Sequence, residues 1–170
     1  SWVLAAHNFH ADPTDPLPDP FRPYVDLTAG QTGADLAWIF YLLKERLDKK
    51  SRHIAPRIAA ELRKRIIDLY LENEDWWWLG FGERIPNNWN SWINANTLMV
   101  ALLIEQDEEK RGRLVEKILR SLDIFVDNYG ADGGCDEGPS YWGRAAASLY
   151  DSLELLRSAS DGKIDIYDEP

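Results

Sequence analysis

The chain of 170 residues is 45% hydrophobic and 28% charged, which suffices for one domain with a core of its own. Its 29 acidic residues outnumber 19 lysines and arginines, so the formal net charge of -10 excludes a broad electrostatic surface for nucleic acid or anionic membrane. No apolar run approaches the roughly 20 residues that span a bilayer, and the single Cys135 excludes an internal disulfide and a multi-thiolate zinc site. These features predict a soluble globular protein without nucleic-acid or membrane partners.

Three segments of the chain differ in composition. Residues 1–26 contain closely spaced prolines that exclude a helix or a central strand, so we expect an extended arm. His7 and His10 lie in this arm, and the sequence identifies no partner for either. Residues 27–162 carry helical periodicity and form the expected domain. Residues 163–170 are acidic and end in proline, and we expect a tail or a linker to a C-terminal part outside this chain.

Apolar residues in the central segment recur at spacings of three and four, which is typical of helices with one buried face. No alternating pattern of useful length predicts a strand, so the predicted fold class is all-α. We expect helices over about 29–47, 52–72, 89–105, 108–127 and 139–158, the fourth capped by Asp107 and the fifth begun by Pro139. The expected inward positions are Leu36, Phe40, Leu43 and Leu47; Ile54, Ile58, Leu62, Ile66 and Tyr70; Leu98, Leu102 and Leu103 or Ile104; Leu114, Ile118, Leu122 and Phe125; and Leu149, Leu153 and Leu156.

The connection at residues 75–96 is dense in aromatic and amide side chains, with five tryptophans in positions 76–92 and five asparagines in positions 87–96. The consecutive Trp76, Trp77 and Trp78 cannot all face one core, so we expect at least one indole to line a groove. Flat indoles suit the faces of sugars and amides suit their hydroxyls, so the hypothesis is one wall of a carbohydrate cleft. Asn94 and Asn96 by themselves favour a structural interpretation, as turn or N-cap residues.

A second connection, residues 129–142, is rich in glycine and leads into the last helix. Its acids Asp132, Asp136 and Glu137 lack the spacing of an EF-hand loop, so we expect no metal site and interpret them as turn and helix-entry charges. Tyr141 falls in the first helical turn, where the positive end of the helix dipole favours a phenolate. The alternative for Tyr141 is a half-buried structural tyrosine.

Three motifs, in this order along the chain, resemble the heparinase II/III-like polysaccharide lyases. They are Gln31-Thr-Gly-Ala-Asp-Leu-Ala-Trp38, Pro86-Asn-Asn-Trp-Asn-Ser-Trp-Ile-Asn-Ala-Asn96 and Asp132-Gly-Gly-Cys-Asp-Glu-Gly-Pro-Ser-Tyr-Trp-Gly-Arg144. The resemblance covers approximately residues 26–168, and its second and third motifs are specific. It implies an incomplete α/α toroid of antiparallel helix hairpins, as in chondroitin AC and alginate lyases. The rest of the toroid and a β-sandwich domain would lie outside this chain.

The resemblance also implies β-elimination on an acidic, glycosaminoglycan-like polysaccharide by a periplasmic or secreted bacterial protein, without a metal or other cofactor. Tyr141 matches the catalytic tyrosine, and Asn87 with Asn88 matches the segment that neutralises the substrate carboxylate, Asn88 being the first choice. Some relatives place a histidine in this loop, where Trp89 or another non-ionisable residue stands here, so Tyr141 would serve as both base and acid or use a partner group. The family also draws a histidine from its β-sandwich domain, so the isolated chain is expected to be inactive. The expected substrate contacts are Trp76, Trp77, Trp78, Trp89, Asn90, Trp92, Glu137, Trp142 and Arg144.

Two other functions stay open. Helical toroids also carry glycoside hydrolases, for which Asp136 and Glu137 would be the paired carboxylates, but adjacent residues rarely place two carboxyl groups on opposite sides of a substrate. The other alternative is a non-catalytic glycan-binding or interaction module. Burial of the three consecutive tryptophans, with no cleft beside Asn88 and Tyr141, would favour that module.

Overall fold

The computed structural model describes residues 5–7, 23–134 and 138–167 of the chain. Within these ranges the chain is helical and contains no strand, which confirms the predicted all-α class. A π-helical segment joins α2 to α3, so these two helices and the segment together correspond to the second predicted helix. The elements are α1 (Leu27–Lys50), α2 (Ile54–Leu62), the π-helical Arg63–Ile67, α3 (Asp68–Glu72), a 3-10 helix (Trp77–Leu79), α4 (Asn88–Ile104), α5 (Glu108–Asp127) and α6 (Pro139–Ala159).

Helix α1 begins where a capping residue stands but buries a different face from the predicted one. The buried Asp26 is the N-cap, and its Oδ1 accepts a hydrogen bond from the Ala29 N–H at 2.8 Å. A Cβ added to Gly33 would lie 3.2 Å from Cγ1 of Ile66, so small residues let α1 approach its neighbours closely. The predicted Leu43 is 37% exposed, while Leu36, Phe40 and Leu47 pack at the edge of the core. The buried residues of α1 are Ala29, Gly30, Gly33, Ala34 and Ala37.

The middle of α1 leaves an apolar surface uncovered by the described residues. Trp38, Ile39, Tyr41 and Leu42 are all exposed, and Leu42 is the most exposed of them. Contiguous apolar surface of this kind is uncommon on a monomer and marks a place of contact. None of the helices in the described ranges is both long and apolar enough to cross a membrane.

The predicted faces of the second and fourth helical patterns are largely confirmed. In the second predicted helix, which corresponds to α2, the π-helical segment and α3, every predicted inward position is buried except Ile54. Ile54 is exposed at the start of α2. All four predicted positions of α5 are buried, and Asp107 caps this helix by accepting from the Lys110 N–H at 3.0 Å. In α6, Leu156 is buried, whereas Leu149 and Leu153 are partly exposed.

Helix α4 lies at the centre of the fold. It packs against α1, α5 and α6, and 12 of its 17 residues are buried. A helix surrounded on most sides must find partners inside the protein for its polar side chains, because a buried polar group without a hydrogen bond is costly. Most of the asparagine-rich motif therefore runs through the interior, and its partly exposed residues are Asn87, Trp89 and Trp92.

Candidate functional site

The three consecutive tryptophans divide between core and surface. The rings of Trp76 and Trp78 stack in the core with centroids 5.5 Å apart. Trp76 precedes the 3-10 helix in an extended conformation, which allows both rings to enter the same core. Trp76 is 8% exposed and Trp78 is fully buried, so the expectation that these two contact substrate is corrected: both are core residues. Trp77 is the partly exposed member of the three.

Asn90 was expected to contact substrate, but its amide instead joins buried segments. Its Nδ2 donates to the Trp78 carbonyl at 2.8 Å and to Oγ of Ser121 at 2.9 Å. Nδ2 of Asn94 donates to the same Ser121 hydroxyl, and the Tyr70 hydroxyl donates to Oδ1 of Asn94 at 2.7 Å. This network ties α4 to α3, to α5 and to the tryptophan segment. Asn90 therefore has a structural role, because its amide is buried and engaged.

The predicted catalytic groups differ in their access to solvent. Asn87 is the N-cap of α4: its Oδ1 accepts from the Trp89 N–H at 3.1 Å, and part of its side chain is exposed. Asn88 is only 2% exposed, whereas Tyr141, in the first turn of α6, is 52% exposed. A group that meets a substrate carboxylate must be reachable. Asn87 is therefore the more accessible amide of the predicted pair.

An aromatic surface lies at the same end of α4. The guanidinium carbon of Arg84 is 3.8 Å from the centroid of the Trp77 ring, and the Trp77 and Trp89 rings are 5.3 Å apart. Both tryptophans are partly exposed, so the indoles remain within reach of a ligand. Arg84 over Trp77 is a cation–π contact, which orders the guanidinium on this surface.

A histidine that sequence reasoning left without a partner lies beside this surface. The ring Nδ1 of His7 is 2.7 Å from Oδ2 of Asp26, and the backbone N–H of His7 donates to the same oxygen at 2.9 Å. The carboxylate is fully buried, 40% of the His7 side chain is exposed, and the ring packs edge-on against Trp89 at 5.0 Å. The buried carboxylate thus fixes the position of the imidazole ring beside Trp89. No motif or spacing in the sequence links His7 to Asp26.

A second group of side chains connects α1, α4 and α6 through hydrogen bonds to Gln31. Oε1 of Gln31 accepts from Nε1 of Trp92 at 3.2 Å and from Nη2 of Arg144 at 2.9 Å. Its Nε2 donates to Oδ1 of Asp35 at 3.2 Å, and the Arg144 guanidinium carbon lies 3.8 Å from the centroid of the Trp92 ring. The structure thus brings together the predicted contacts Trp92 and Arg144. Gln31, which holds them, was part of a quoted motif but was not singled out.

These residues border a groove of about 220 Å³ between α1, α4 and α6. Its lining also includes Trp38, Asn96 and Asp151, which sequence reasoning did not propose as binding residues. Helical spacing places Tyr141 one turn before Arg144 on the same face of α6. The residues of α6 that line the groove are Arg144, Ser148 and Asp151, and the predicted catalytic tyrosine is not among the lining residues.

The glycine-rich connection is described only in part. Nε1 of Trp142 donates to the Gly133 carbonyl at 2.6 Å, and Oδ1 of Asp132 accepts from the Gly134 N–H at 2.9 Å. Asp132 thus acts as a turn residue, as interpreted. Among the described residues no group of three or more His, Cys, Asp and Glu side chains has the arrangement of a metal site. The predictions for Cys135, Asp136 and Glu137 concern residues outside the described ranges.

Comparison of the chain with protein-family models gave no match, and comparison with curated proteins gave none either. The resemblance to the heparinase II/III-like lyases therefore rests on the three quoted motifs.

Proposed function

We propose that this chain is a helical, substrate-binding part of a polysaccharide lyase that cleaves a uronic-acid polymer by β-elimination. The observation that carries the proposal is the meeting of Gln31, Trp92 and Arg144. Each belongs to a different one of the three motifs, and the hydrogen bonds join positions 61 and 113 residues apart. Convergence of separate motifs on one surface is expected when they serve a common ligand.

The residue types fit the steps of the reaction. β-Elimination moves the C5 proton of a uronate to a base, forms a double bond between C4 and C5, and releases O4, which takes a proton from an acid. An amide donor beside the uronate carboxylate stabilises the negative charge that develops there, and Asn87 is the reachable amide of the predicted pair. Tyr141 is the proposed base or acid because it matches the catalytic tyrosine of the resembling family and its side chain is exposed in the first turn of α6.

His7 is the proposed second proton-transfer group. Some heparinase-like relatives carry a histidine in the loop that contains Trp89 here, and the ring of His7 packs against Trp89. The buried Asp26 orients His7 in the way that a carboxylate orients a catalytic histidine, by accepting from Nδ1. The N-terminal arm would thus supply a histidine, which the motif at residues 86–96 lacks.

The proposal includes the larger fold. In an incomplete α/α toroid, further helices would cover the apolar surface of α1 around Tyr41 and Leu42. A β-sandwich domain of the same protein would complete the cleft and supply positive charge for the acidic polymer, which this acidic chain lacks. Such lyases work on extracellular polymers, so the proposed location is periplasmic or secreted.

The test is a lyase assay of the full-length parent against heparan sulfate, chondroitin, hyaluronan and alginate. Ultraviolet absorbance of the unsaturated uronate product should increase with at least one polymer. Tyr141→Phe should abolish the increase, while Tyr150→Phe, at an exposed tyrosine of the same helix, should leave it intact. Cleavage without a new double bond, or full activity of Tyr141→Phe, would contradict the proposal.

A non-catalytic glycan-binding module is the second candidate, and the burial of Asn88 favours it. A buried amide cannot neutralise a substrate carboxylate, whereas the exposed Trp77 and Trp89 could still hold a sugar. Polymer binding by the full-length parent without product formation would select this function.

A further inference from the structure

The solvent-facing side of α1 carries a continuous stripe of exposed residues, here called the α1 stripe. Its members follow one another at spacings of three and four and therefore share one face of the helix. They are Asp35, Trp38, Ile39, Leu42, Arg46 and Lys49. Beside the stripe, Tyr41 packs edge-on against Trp38 with ring centroids 5.9 Å apart. Leu42, at the centre, is 67% exposed, so most of its side chain lies uncovered.

The order of residue types along the α1 stripe is that of a helix-pairing surface. Positions 35, 39, 42, 46 and 49 alternate in spacing between four and three, as the contact positions of paired helices do. The middle of the stripe is apolar and both of its ends are charged. An apolar centre with a polar rim is the usual arrangement of a protein interface, so the stripe is suited to contact with another helix.

The charges of the α1 stripe are complementary to those of a second α1. Asp35 lies seven positions before Leu42, and Lys49 lies seven positions after it. Within the described part of the chain neither of the two has an ion-pair partner. In an antiparallel pair with Leu42 on a two-fold axis, each Asp35 would lie opposite Lys49 of the second copy. A parallel pair would place each charge opposite its own copy, so the charges favour the antiparallel arrangement.

Neighbouring charges strengthen this complementarity. Asp151 of α6 lines the same groove as Asp35, so two carboxylates lie near one end of the stripe. Lys49 and Lys50 occupy the last turn of α1, at the other end. Helix α1 as a whole contains three acidic and four basic residues, so the net charge of -10 lies elsewhere on the chain. The surface itself therefore does not repel a second copy.

We infer that the α1 stripe binds a second copy of this chain in an antiparallel, two-fold symmetric pair centred on Leu42. The inference does not rest on the lyase proposal. The stripe is short compared with standard protein interfaces, so we expect a weak dimer with a dissociation constant on the order of 10–100 µM. The further helices proposed for the full-length parent are the alternative occupant of the same surface.

The experiment is sedimentation equilibrium of the 170-residue chain, at concentrations below and above this range and in about 0.15 M salt. We expect a reversible monomer–dimer equilibrium. Leu42→Glu changes an exposed side chain, so it should leave the helical circular dichroism unchanged and abolish the dimer. Ile85→Glu is the matched control, because Ile85 is 66% exposed and lies outside the stripe; it should leave the dimer intact. A chain that stays monomeric, or a Leu42→Glu variant that still dimerises, would overturn the inference.

Two charge reversals test the antiparallel arrangement. Asp35→Lys and Lys49→Glu each place like charges opposite one another, so each should raise the dissociation constant about tenfold. Mixing the two variants restores opposite charges at both ends of the pair, and we expect a heterodimer about as stable as the original dimer. Lys64→Glu, at an exposed lysine outside the stripe, should leave the constant unchanged. Failure of the mixed variants to pair would contradict the arrangement.

The full-length parent separates the two occupants of the stripe. A monomeric parent beside a dimeric 170-residue chain would support the pairing and also the coverage of α1 by further helices. A parent whose dimer is lost with Leu42→Glu would support the pairing and contradict that coverage. Neither measurement uses turnover, so failure of the lyase assay leaves this inference standing, and a monomeric 170-residue chain leaves the lyase proposal standing.

Discussion

The ring Nδ1 of His7 lies 2.7 Å from Oδ2 of Asp26, which ties a residue of the proline-rich arm to the first turn of α1. The same carboxylate accepts the backbone N–H of His7 and, through Oδ1, the N–H of Ala29. One buried carboxylate therefore caps a helix and orients an imidazole. Because the carboxylate has both roles, we expect its removal to lower the free energy of unfolding strongly.

Asp26→Ala should lower the free energy of unfolding by about 3 kcal/mol, because it removes the cap and leaves the donors of His7 and Ala29 without their acceptor. Urea denaturation followed by circular dichroism measures the change. Asp107→Ala is the matched control: it removes an exposed cap that accepts the Lys110 N–H and should cost about 1 kcal/mol. Equal losses in the two variants would contradict the role assigned to the buried carboxylate.

Asn90→Ala should destabilise the protein by about 3 kcal/mol, because it leaves the Trp78 carbonyl and the Ser121 hydroxyl with fewer partners in the core and opens a cavity. The midpoint of urea unfolding gives the measurement. Asn128→Ala removes an exposed amide that bonds the Ile124 carbonyl and should change stability by no more than about 0.5 kcal/mol. A stable Asn90→Ala variant with impaired glycan binding would restore the original expectation of a substrate contact.

Lys117→Met should cost about 2 kcal/mol, because the Lys117 ammonium donates to the carbonyls of Tyr70 at 2.7 Å and Asn73 at 2.6 Å, around the end of α3. Burial lowers the pKa of Lys117, and the negative charge of Glu74 opposes this shift. Lys64→Met, at an exposed lysine, serves as the control and should be nearly neutral. A more stable Lys117→Met protein in thermal denaturation would show that packing outweighs these bonds.

Burial raises the pKa of Tyr24 to about 12, from about 10 in the unfolded chain. The folded state therefore favours the neutral phenol, so this stabilisation is complete below about pH 10 and is lost as the pH rises through about 12. Between these pH values the free energy of unfolding of Tyr24→Phe should therefore fall less than that of the unchanged protein. Urea denaturation at a series of alkaline pH values measures both. Tyr41→Phe, at an exposed tyrosine, is the control, and equal slopes in the two variants would contradict the prediction.

Local signals in the sequence predicted the helices well because helix starts and periods depend on neighbouring residues. Asp107 caps α5 and Pro139 begins α6, as expected from their positions before and within helical patterns. The face of α1 was predicted less well. The spacing of the leucines predicted Leu43 as an inward position. The buried face instead contains the small residues Gly33 and Ala37, because the neighbouring helices approach α1 closely there.

The candidate site was predictable in composition but not in arrangement. The motifs pointed to Trp92 and Arg144, yet the sequence could not show that Gln31 joins them, because the bonds span 61 and 113 positions. The density of asparagines suggested sugar contacts for Asn87, Asn88 and Asn90 and structural roles for Asn94 and Asn96. Burial of α4 turned Asn90 into a core residue and left Asn87 at the surface, because the helix enters the interior within its first turn.

The sequence by itself determined an acidic all-α chain with its helices, their caps and three motifs, since these depend on composition and on contacts a few residues apart. Only the tertiary structure decided which polar side chains satisfy the core and which face a groove. It paired His7 with Asp26, placed Trp78 inside, and set Asn96 beside Asp35 and Asp151. The physical reason is that burial and long-range hydrogen bonds depend on how whole helices pack, and no local pattern encodes that packing.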